Sequence, residues 1–324
     1  MNRLTTKLSF RFLLTLGALC CALQACAWNN TGHMVVAELA WRSLSAGERS
    51  AVSQLLRQHP HYAELLAVDI PSDADRDEWI FLRAATWPDL VRPAPSGQPP
   101  QPAHITAYHH PDWHYIDLPF VAANDLATIL PSAHPPPPTN AVERLAYAEA
   151  QLRSPQLPAA DRAVALCWYL HLVGDIHQPL HCAEWFSPEF PQGDRGGNEV
   201  AIKPQSEPLR LHTFWDALLG TGQDSTFIEY LADDIAADPK LARARLRELK
   251  SHQTYPSWTA EGLHYARAFA YLDGQLKHAK WHGHITAAEV PDINFGYEEN
   301  ARSVARRRIA LAGFRLANGL KRLF

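Results

Sequence analysis

Two His-x-x-x-Asp pairs constrain the fold of this chain most: His171 with Asp175, and His212 with Asp216. Each pair lies in a segment whose apolar residues recur with helical periodicity. Residues four apart on a helix share one face and have neighbouring Cβ atoms, so each pair can hold one metal ion. A single such pair also occurs as a surface ion pair, but the second pair and His181, six residues after Asp175, strengthen the metal interpretation. The sequence therefore predicts a metal site carried by helices.

Helical periodicity extends over most of the chain. The first two segments, 31–44 and 45–58, are predicted to form an antiparallel pair, and the second opens with a Ser45–Glu48 capping box. Further helices are predicted at 73–86, 139–153, 159–176, 224–236, 239–251, 257–277 and 298–322. The pattern predicts a mainly α fold, a single-domain multi-helix bundle.

Proline and glycine interrupt the helices in three places. A Pro-rich loop, 88–111, leads to the short extended segment "DWHYIDLP". The run "PSAHPPPPT" at 131–139 resembles an interdomain linker, but its nine residues favour a polyproline surface loop within one domain. Residues 196–212, "GGNEVAIKPQSEPLRLH", predict a short β-hairpin.

The last predicted helix, "ARSVARRRIALAGFRLANGL", mixes arginines with apolar residues. A helix lying on a membrane surface has this composition. We favour a helix packed on the bundle with its arginines in solvent.

The first 27 residues resemble a secretory signal peptide, with basic residues, a short apolar stretch and the small-residue site "ACA". Cleavage after Ala27 would make Trp28 the N-terminus of a catalytic domain at 28–324, secreted or periplasmic. A membrane anchor is an alternative, but the apolar run is shorter than the roughly 20 residues of a span. A lipoprotein signal ending at Cys26 is a second alternative, which the residues before it fit poorly.

The remaining residues, 28–324, limit the partners. No other apolar stretch is long enough to cross a bilayer. The formal charge is -4 for the whole chain, so the composition does not indicate the diffuse basic surface of a duplex-coating protein. An anionic ligand must therefore find its positive charge locally.

Two cysteines, Cys167 and Cys182, follow the predicted signal. They flank the histidine cluster, so a disulfide or thiolate ligation of zinc is conceivable. The cluster already has enough ligands without them, and the pairing stays open.

Three further residues are candidate ligands: Asp89 in "TWPDLVR", His114 in "DWHYIDLP" and His33. Histidine and aspartate are a ligand set suited to zinc in a hydrolytic site. The chain lacks His-Glu-x-x-His, which argues against the common plan of zinc proteases.

The chain resembles the S1/P1 nucleases, secreted zinc-dependent enzymes related to the zinc phospholipases C. The resemblance covers 28–324 and rests on motifs in family order and at family spacing: Trp28 followed by "NNTGH", then "WPDLVR", "HYIDLP", "HLVGDIHQPLH", "GGN" and "LHTFWD". It implies the fold of that family and a centre of three zinc ions per chain.

The resemblance also implies the ligands of each zinc ion. One ion would be held by Asp89, His114, His171 and Asp175. A second would be held by the amino group and carbonyl of Trp28 with His33 and Asp175, so that Asp175 bridges two ions. The third would be held by His181, His212 and Asp216.

The same resemblance implies residues that meet the substrate. Arg92 matches an arginine that steadies the phosphate, and Asp117 matches an acidic residue that contributes to catalysis or base contact. Tyr115 stands where an aromatic stacks on a base, and Asn198 is expected near the scissile group.

The expected reaction is hydrolysis of single-stranded DNA and RNA to 5′-phosphorylated products. Hydrolysis of 3′-nucleotides is expected as well. A metal-bound hydroxide would attack phosphorus while the third zinc stabilises the departing 3′ oxygen. We expect a monomer without an obligate protein partner.

Two other functions compete with this one. A zinc phospholipase C uses almost the same site, but its third zinc site resembles one with glutamate at the position of Asp216. Arg92 and "GGN" also favour the nuclease. A secreted zinc-binding protein without catalysis is disfavoured because all nine ligand positions and Arg92 are retained.

Overall fold

The structure, a computed structural model, describes residues 28–324. The predicted signal peptide at 1–27 lies outside the described residues. The α-helices are α1 Asn30–Ser43, α2 Ala46–Leu56, α3 Arg76–Ala84, α4 Trp87–Leu90, α5 Ala103–Thr106, α6 Ala141–Leu152, α7 Ala159–Asp175, α8 Leu211–Asp216, α9 Ser225–Ala237, α10 Glu248–Ser251, α11 Tyr255–Tyr265 and α12 Phe295–Leu323. The predicted mainly α fold is confirmed.

Short strands add two small sheets to the described part of the chain: β1 Leu118–Val121, β2 Ala183–Phe186, β3 Val200–Ile202, β4 Leu209–Arg210 and β5 Ala279–Lys280. The predicted hairpin is confirmed by antiparallel β3 and β4, in which Ala201 lies opposite Arg210. Strand β5 pairs with the other edge of β3. Strands β1 and β2 form a parallel pair that the sequence did not predict.

Helix α7 is the central helix of the bundle. From Leu166 to Asp175 every one of its residues is buried, and it contacts α6, α12, α2, α4 and α1. A helix that is apolar nearly all round must be enclosed by other elements. The carboxylate of Asp175 therefore ends the helix inside the protein.

Helix α12 packs on the bundle, as predicted, but two of its arginines are not in solvent. Arg308 and Arg315 are buried, and both pair with Glu261 of α11. Arg308 also donates to the carbonyl of His177 at 3.0 Å. Buried arginine is stable only when it is paired in this way, and the network fixes the turn after Asp175.

The membrane-surface interpretation of α12 has no support in these contacts, because the helix is buried along most of its length. No helix in 28–324 has the length and apolarity needed to cross a membrane.

Two predicted helices differ from the structure. Only the 3₁₀ turn Arg243–Arg245 and the short α10 form within the predicted helix at 239–251. The apolar residues there, Leu241 and Leu246, are five apart and cannot share one helical face. The predicted helix at 257–277 is α11 followed by the π-helical segment Ala266–Ala270, and it stops where Leu272 and Asp273 have φ of 51° and 54°.

The prediction that the first two helices form an antiparallel pair is wrong. Helix α1 packs mainly on α12, α9 and α3, whereas α2 packs on α3 and α7. The capping box of α2 is confirmed, since Ser45 and Glu48 each bond the other's backbone. The connecting turn therefore directs α2 to other partners.

Both cysteines of the described chain are free and buried. The thiol of Cys182 donates to the carbonyl of Ile176 at 3.3 Å. The groups of residues in 28–324 that are close enough to hold a metal include neither cysteine. In the described residues the two cysteines therefore neither form a disulfide nor belong to a group that could hold a metal.

Candidate metal centre

The predicted ligands come from separate parts of the chain and meet around the end of α7. Helix α7 supplies His171 and Asp175, and the 3₁₀ turn Pro179–His181 supplies His181. The other side chains come from four more segments: His33 from α1, Asp89 from α4, His114 after the turn Pro111–Trp113, and His212 with Asp216 from α8.

One group consists of His114, His171 and Asp175. Nδ1 of His114 lies 3.0 Å from Nε2 of His171 and 3.1 Å from Oδ2 of Asp175. The distance from Nε2 of His171 to the same carboxylate oxygen is 3.3 Å. Asp89 adjoins this group, with Oδ1 at 3.8 Å from Nε2 of His171. Three buried ligand atoms thus form a small triangle with a second carboxylate beside it.

His33 approaches the opposite oxygen of Asp175. Its Nε2 lies 3.4 Å from Oδ1 of Asp175, and its ring stacks on His171 with centroids 3.9 Å apart. A Cβ at Gly174 would lie 2.6 Å from Nδ1 of His33. Glycine at 174 is therefore required for α1 and α7 to approach closely enough for this contact.

A second group consists of His181, His212 and Asp216. The Nε2 atoms of the two histidines are 3.2 Å apart, and Nε2 of His212 lies 3.5 Å from Oδ2 of Asp216. The side-chain amide of Gln178 donates to the other oxygen of Asp216 at 2.7 Å. The carboxylate is thereby oriented towards the histidines.

Backbone carbonyls fix which nitrogen carries a proton in three of the imidazoles. Nδ1 of His171 donates to Ala85 at 2.8 Å, that of His181 to His114 at 2.7 Å, and that of His212 to Gly196 at 2.6 Å. In the neutral ring the remaining Nε2 then carries a lone pair. Two such lone pairs face each other between His181 and His212, which is favourable only with a cation between them.

The spacing of the ligand atoms fits zinc. Tetrahedral zinc with bonds of about 2.0–2.1 Å separates its ligand atoms by roughly 3.3 Å. Both groups have atom separations close to this value. Hydrogen bonds from the distal nitrogens to carbonyls are the usual support of metal-binding histidines.

Burial disfavours charge on these residues in the absence of a cation. It raises the pKa of Asp175 and Asp216, in both cases with a further contribution from Asp89. Burial lowers the pKa of four imidazoles: His33, His114, His171 and His181. Neutral imidazoles are ligands, and buried carboxylates need positive charge nearby.

Trp28 is placed next to this centre by its neighbour. The backbone N–H of Asn29 donates to the carbonyl of Asp216 at 3.3 Å, and the side chain of Asn29 caps α1 by accepting from Gly32. Trp28 itself is completely buried. A Cβ at Gly32 would lie 2.7 Å from Cβ of Trp28, so the tryptophan folds back tightly on the first turn of α1.

Among the described residues, a third group that could hold a metal consists of His33, Asp89 and His171. A cavity of about 560 Å³ opens beside these groups. Its walls include His114, His181 and His212 together with Arg92. Arg92 forms an ion pair with Asp89, with Nη2 at 2.6 Å from Oδ1. The predicted phosphate-binding arginine therefore lies at the junction of the cavity and the centre.

The other predicted substrate residues, Tyr115, Asp117 and Asn198, also line this cavity. Burial and the nearby carboxylates of Glu184 and Asp194 raise the pKa of Asp117 to about 8. Its φ of 53° is unusual for a residue other than glycine, and its half-buried side chain lines the cavity wall. Asn198 donates to the carbonyl of Arg195, which orients its side chain.

The sequence reasoning missed four residues of the site. Gln178 bonds Asp216, while Arg195, Arg210 and Trp281 line the cavity. Gln178 lies inside "HLVGDIHQPLH" and Arg210 directly precedes "LHTFWD", so proximity to motifs was an available signal for these two. Trp281 is distant in sequence from every motif, and only the pairing of β5 with β3 brings it here.

Known proteins resemble this chain over the same range. The sequence model of a family described as S1/P1 Nuclease matches residues 28–324. Endonuclease 4 of Arabidopsis thaliana is 23% identical over 321 residues, 95% of this chain and 90% of the relative. Endonuclease 1 of the same plant is 24% identical over 329 residues, 98% and 94% of the two chains. Nuclease S1 of Aspergillus oryzae is 24% identical over 191 residues, 58% of this chain and 53% of that protein.

Proposed function

The chain belongs to the S1/P1 nuclease family, and from this premise we propose that it is a zinc-dependent phosphodiesterase that hydrolyses single-stranded DNA and RNA. The products are 5′-phosphorylated, and the same centre removes phosphate from 3′-nucleotides. The catalytic domain is 28–324, released by cleavage after Ala27 into the periplasm or the medium, and it acts as a monomer.

The observation that carries the proposal is the face-to-face pair of Nε2 lone pairs in His181 and His212, 3.2 Å apart beside a cavity. Three zinc ions would be held by the nine residues given above. One would take Asp89, His114, His171 and Asp175; one would take Trp28, His33 and Asp175; the third would take His181, His212 and Asp216. Zinc supplies Lewis acidity and lowers the pKa of water, which favours attack on phosphorus at neutral pH.

The side chains around the centre bind and orient the substrate. Arg92 pairs with Asp89 and lines the cavity, and its guanidinium would bind the scissile phosphate, whose charge grows in the transition state. Asn198 is oriented by its bond to Arg195 towards the same group. Arginine at this point provides the local positive charge that the acidic composition lacks.

Tyr115 and Asp117 contact the base next to the scissile bond. The ring of Tyr115 presents a face for stacking, which an unpaired base accepts and a paired base in a duplex does not. The carboxylate oxygens of Asp117, which lines the cavity wall, would accept hydrogen bonds from the edge of a base. These contacts account for selection of single strands.

The experiment compares four substrates with the mature chain that begins at Trp28: single-stranded DNA, the duplex of the same sequence, RNA, and a choline phospholipid. We expect cleavage of both single strands to fragments with 5′-phosphate ends, slower cleavage of the duplex, and no phospholipid turnover. A chelator should stop the reaction. Turnover of phospholipid without cleavage of nucleic acid would make the protein a phospholipase C, and no turnover of any substrate would make it a zinc-binding protein.

A further inference from the structure

Arg210 and Trp281 form a stacked pair in the wall of the cavity. The guanidinium carbon of Arg210 lies 5.2 Å from the centroid of the Trp281 ring. Both residues line the 560 Å³ cavity, as does His212, which follows Arg210 by two residues. A cation over an indole face is attracted by the ring quadrupole, so the guanidinium has a preferred position.

The three-stranded sheet holds the two residues together. Arg210 of β4 pairs with Ala201 of β3, and Ala201 pairs on its other side with Ala279 of β5. Trp281 directly follows β5, and its backbone N–H donates to the carbonyl of Glu199 at 2.6 Å. The pair is therefore built by the same hairpin that delivers His212 to the metal centre.

Arg210 retains its hydrogen-bonding capacity. Its guanidinium forms no ion pair with a carboxylate of the described residues. Glu199, an acidic residue that also lines the cavity, pairs with the ammonium of Lys280 at 3.8 Å. Stacking occupies the face of a guanidinium and leaves the N–H groups at its edge available, a geometry that matches phosphate oxygens.

We propose that Arg210, positioned by Trp281, binds a second phosphate of the substrate strand, one that is not cleaved. This inference rests on the proposed nuclease function. Arg92 is held at the centre by Asp89 and serves the scissile phosphate, whereas Arg210 is held against Trp281 on the hairpin and serves a neighbouring one. The cavity therefore prefers a strand with several phosphodiesters to a substrate with a single phosphate.

The test compares a single-stranded pentanucleotide with a dinucleoside monophosphate, which has one phosphodiester. For Arg210→Ala we expect KM for the pentanucleotide to rise about tenfold more than KM for the dinucleoside monophosphate. This difference corresponds to the loss of one charge-assisted hydrogen bond. The kcat for both substrates should change little. The slope of log KM for the pentanucleotide against log salt should decrease by about 0.7 for the phosphate contact that is lost. Trp281→Leu should also raise KM for the pentanucleotide. Arg210→Lys should raise it less than Arg210→Ala does, because lysine keeps the positive charge.

The matched control is Arg243→Ala. Arg243 also stacks on a ring, with its guanidinium carbon 5.2 Å from the Phe314 centroid, but it lies outside the cavity, so its loss should alter neither KM. If Arg210→Ala changes both KM values equally, or neither, while the parent chain is active, the inference is overturned and the proposed function stands. If the parent chain cleaves no strand, both are overturned.

Discussion

Asp175→Asn is expected to abolish hydrolysis, lowering kcat by at least about a thousandfold, and to remove two of the three proposed zinc ions. The reason is the position of the two carboxylate oxygens. Oδ2 faces His114 and His171 at 3.1 and 3.3 Å, and Oδ1 faces His33 at 3.4 Å. An amide has the same shape but offers one neutral oxygen, so it cannot bridge two cations.

Metal analysis and single-stranded DNA hydrolysis on the same preparation measure both effects. Asp161→Asn is the matched control, because Asp161 lies on the same helix but is exposed in its first turn; this variant should keep full zinc and activity. If Asp175→Asn retained three zinc ions and the parental rate, Asp175 would not bridge two ions and the arrangement of the centre would be wrong.

One extra residue before Trp28 is expected to weaken a zinc site by at least about a hundredfold in affinity, with a corresponding loss of activity. The nitrogen of Trp28 is an amide in a longer chain, and an amide nitrogen has no available lone pair. In a chain that begins at Trp28 it is an amine, which can bind zinc together with its own carbonyl. Trp28 is fully buried beside α1, which holds its backbone nitrogen and carbonyl in a fixed position.

The control carries the same extra residue after Phe324, at the other end of the chain, and should bind three zinc ions. Zinc affinity and single-stranded DNA hydrolysis are compared for the two proteins. An N-terminally extended chain with the zinc affinity and rate of the mature protein would show that the Trp28 terminus is not a ligand, even if the other two sites stood.

The helices that carry the centre were predictable because their signals are local. His171 and Asp175 lie four apart on a helix predicted at 159–176 and found at Ala159–Asp175. The pair His212 and Asp216 spans almost all of the short helix α8. Helical spacing places both members of a pair on one face whatever the rest of the fold does.

Contacts between distant segments could not be read from the sequence in the same way. The approach of His33 to His171 depends on Gly174, which helical periodicity does not distinguish from any other small residue. The burial of Arg308 and Arg315 depends on Glu261 of another helix. The alternation of charged and apolar residues predicts that these arginines face solvent. They are buried because an acidic residue of another helix pairs with them.

The same limit applies to the cavity. Arg210 and Trp281 are 71 residues apart in number, and they are joined by three strands of two or three residues each. Strands this short have no measurable alternation in sequence. The predicted helix at 239–251 failed for the converse reason, because good helix-forming residues are present there but the buried leucines do not fall on one face.

The most direct test of the account is a zinc titration of the chelated mature protein, followed by its rate of single-stranded DNA hydrolysis. We expect almost no hydrolysis without metal and a rise with added zinc that is complete at three ions per chain. Full activity without zinc, or a maximal rate at one ion per chain, would contradict the proposed centre.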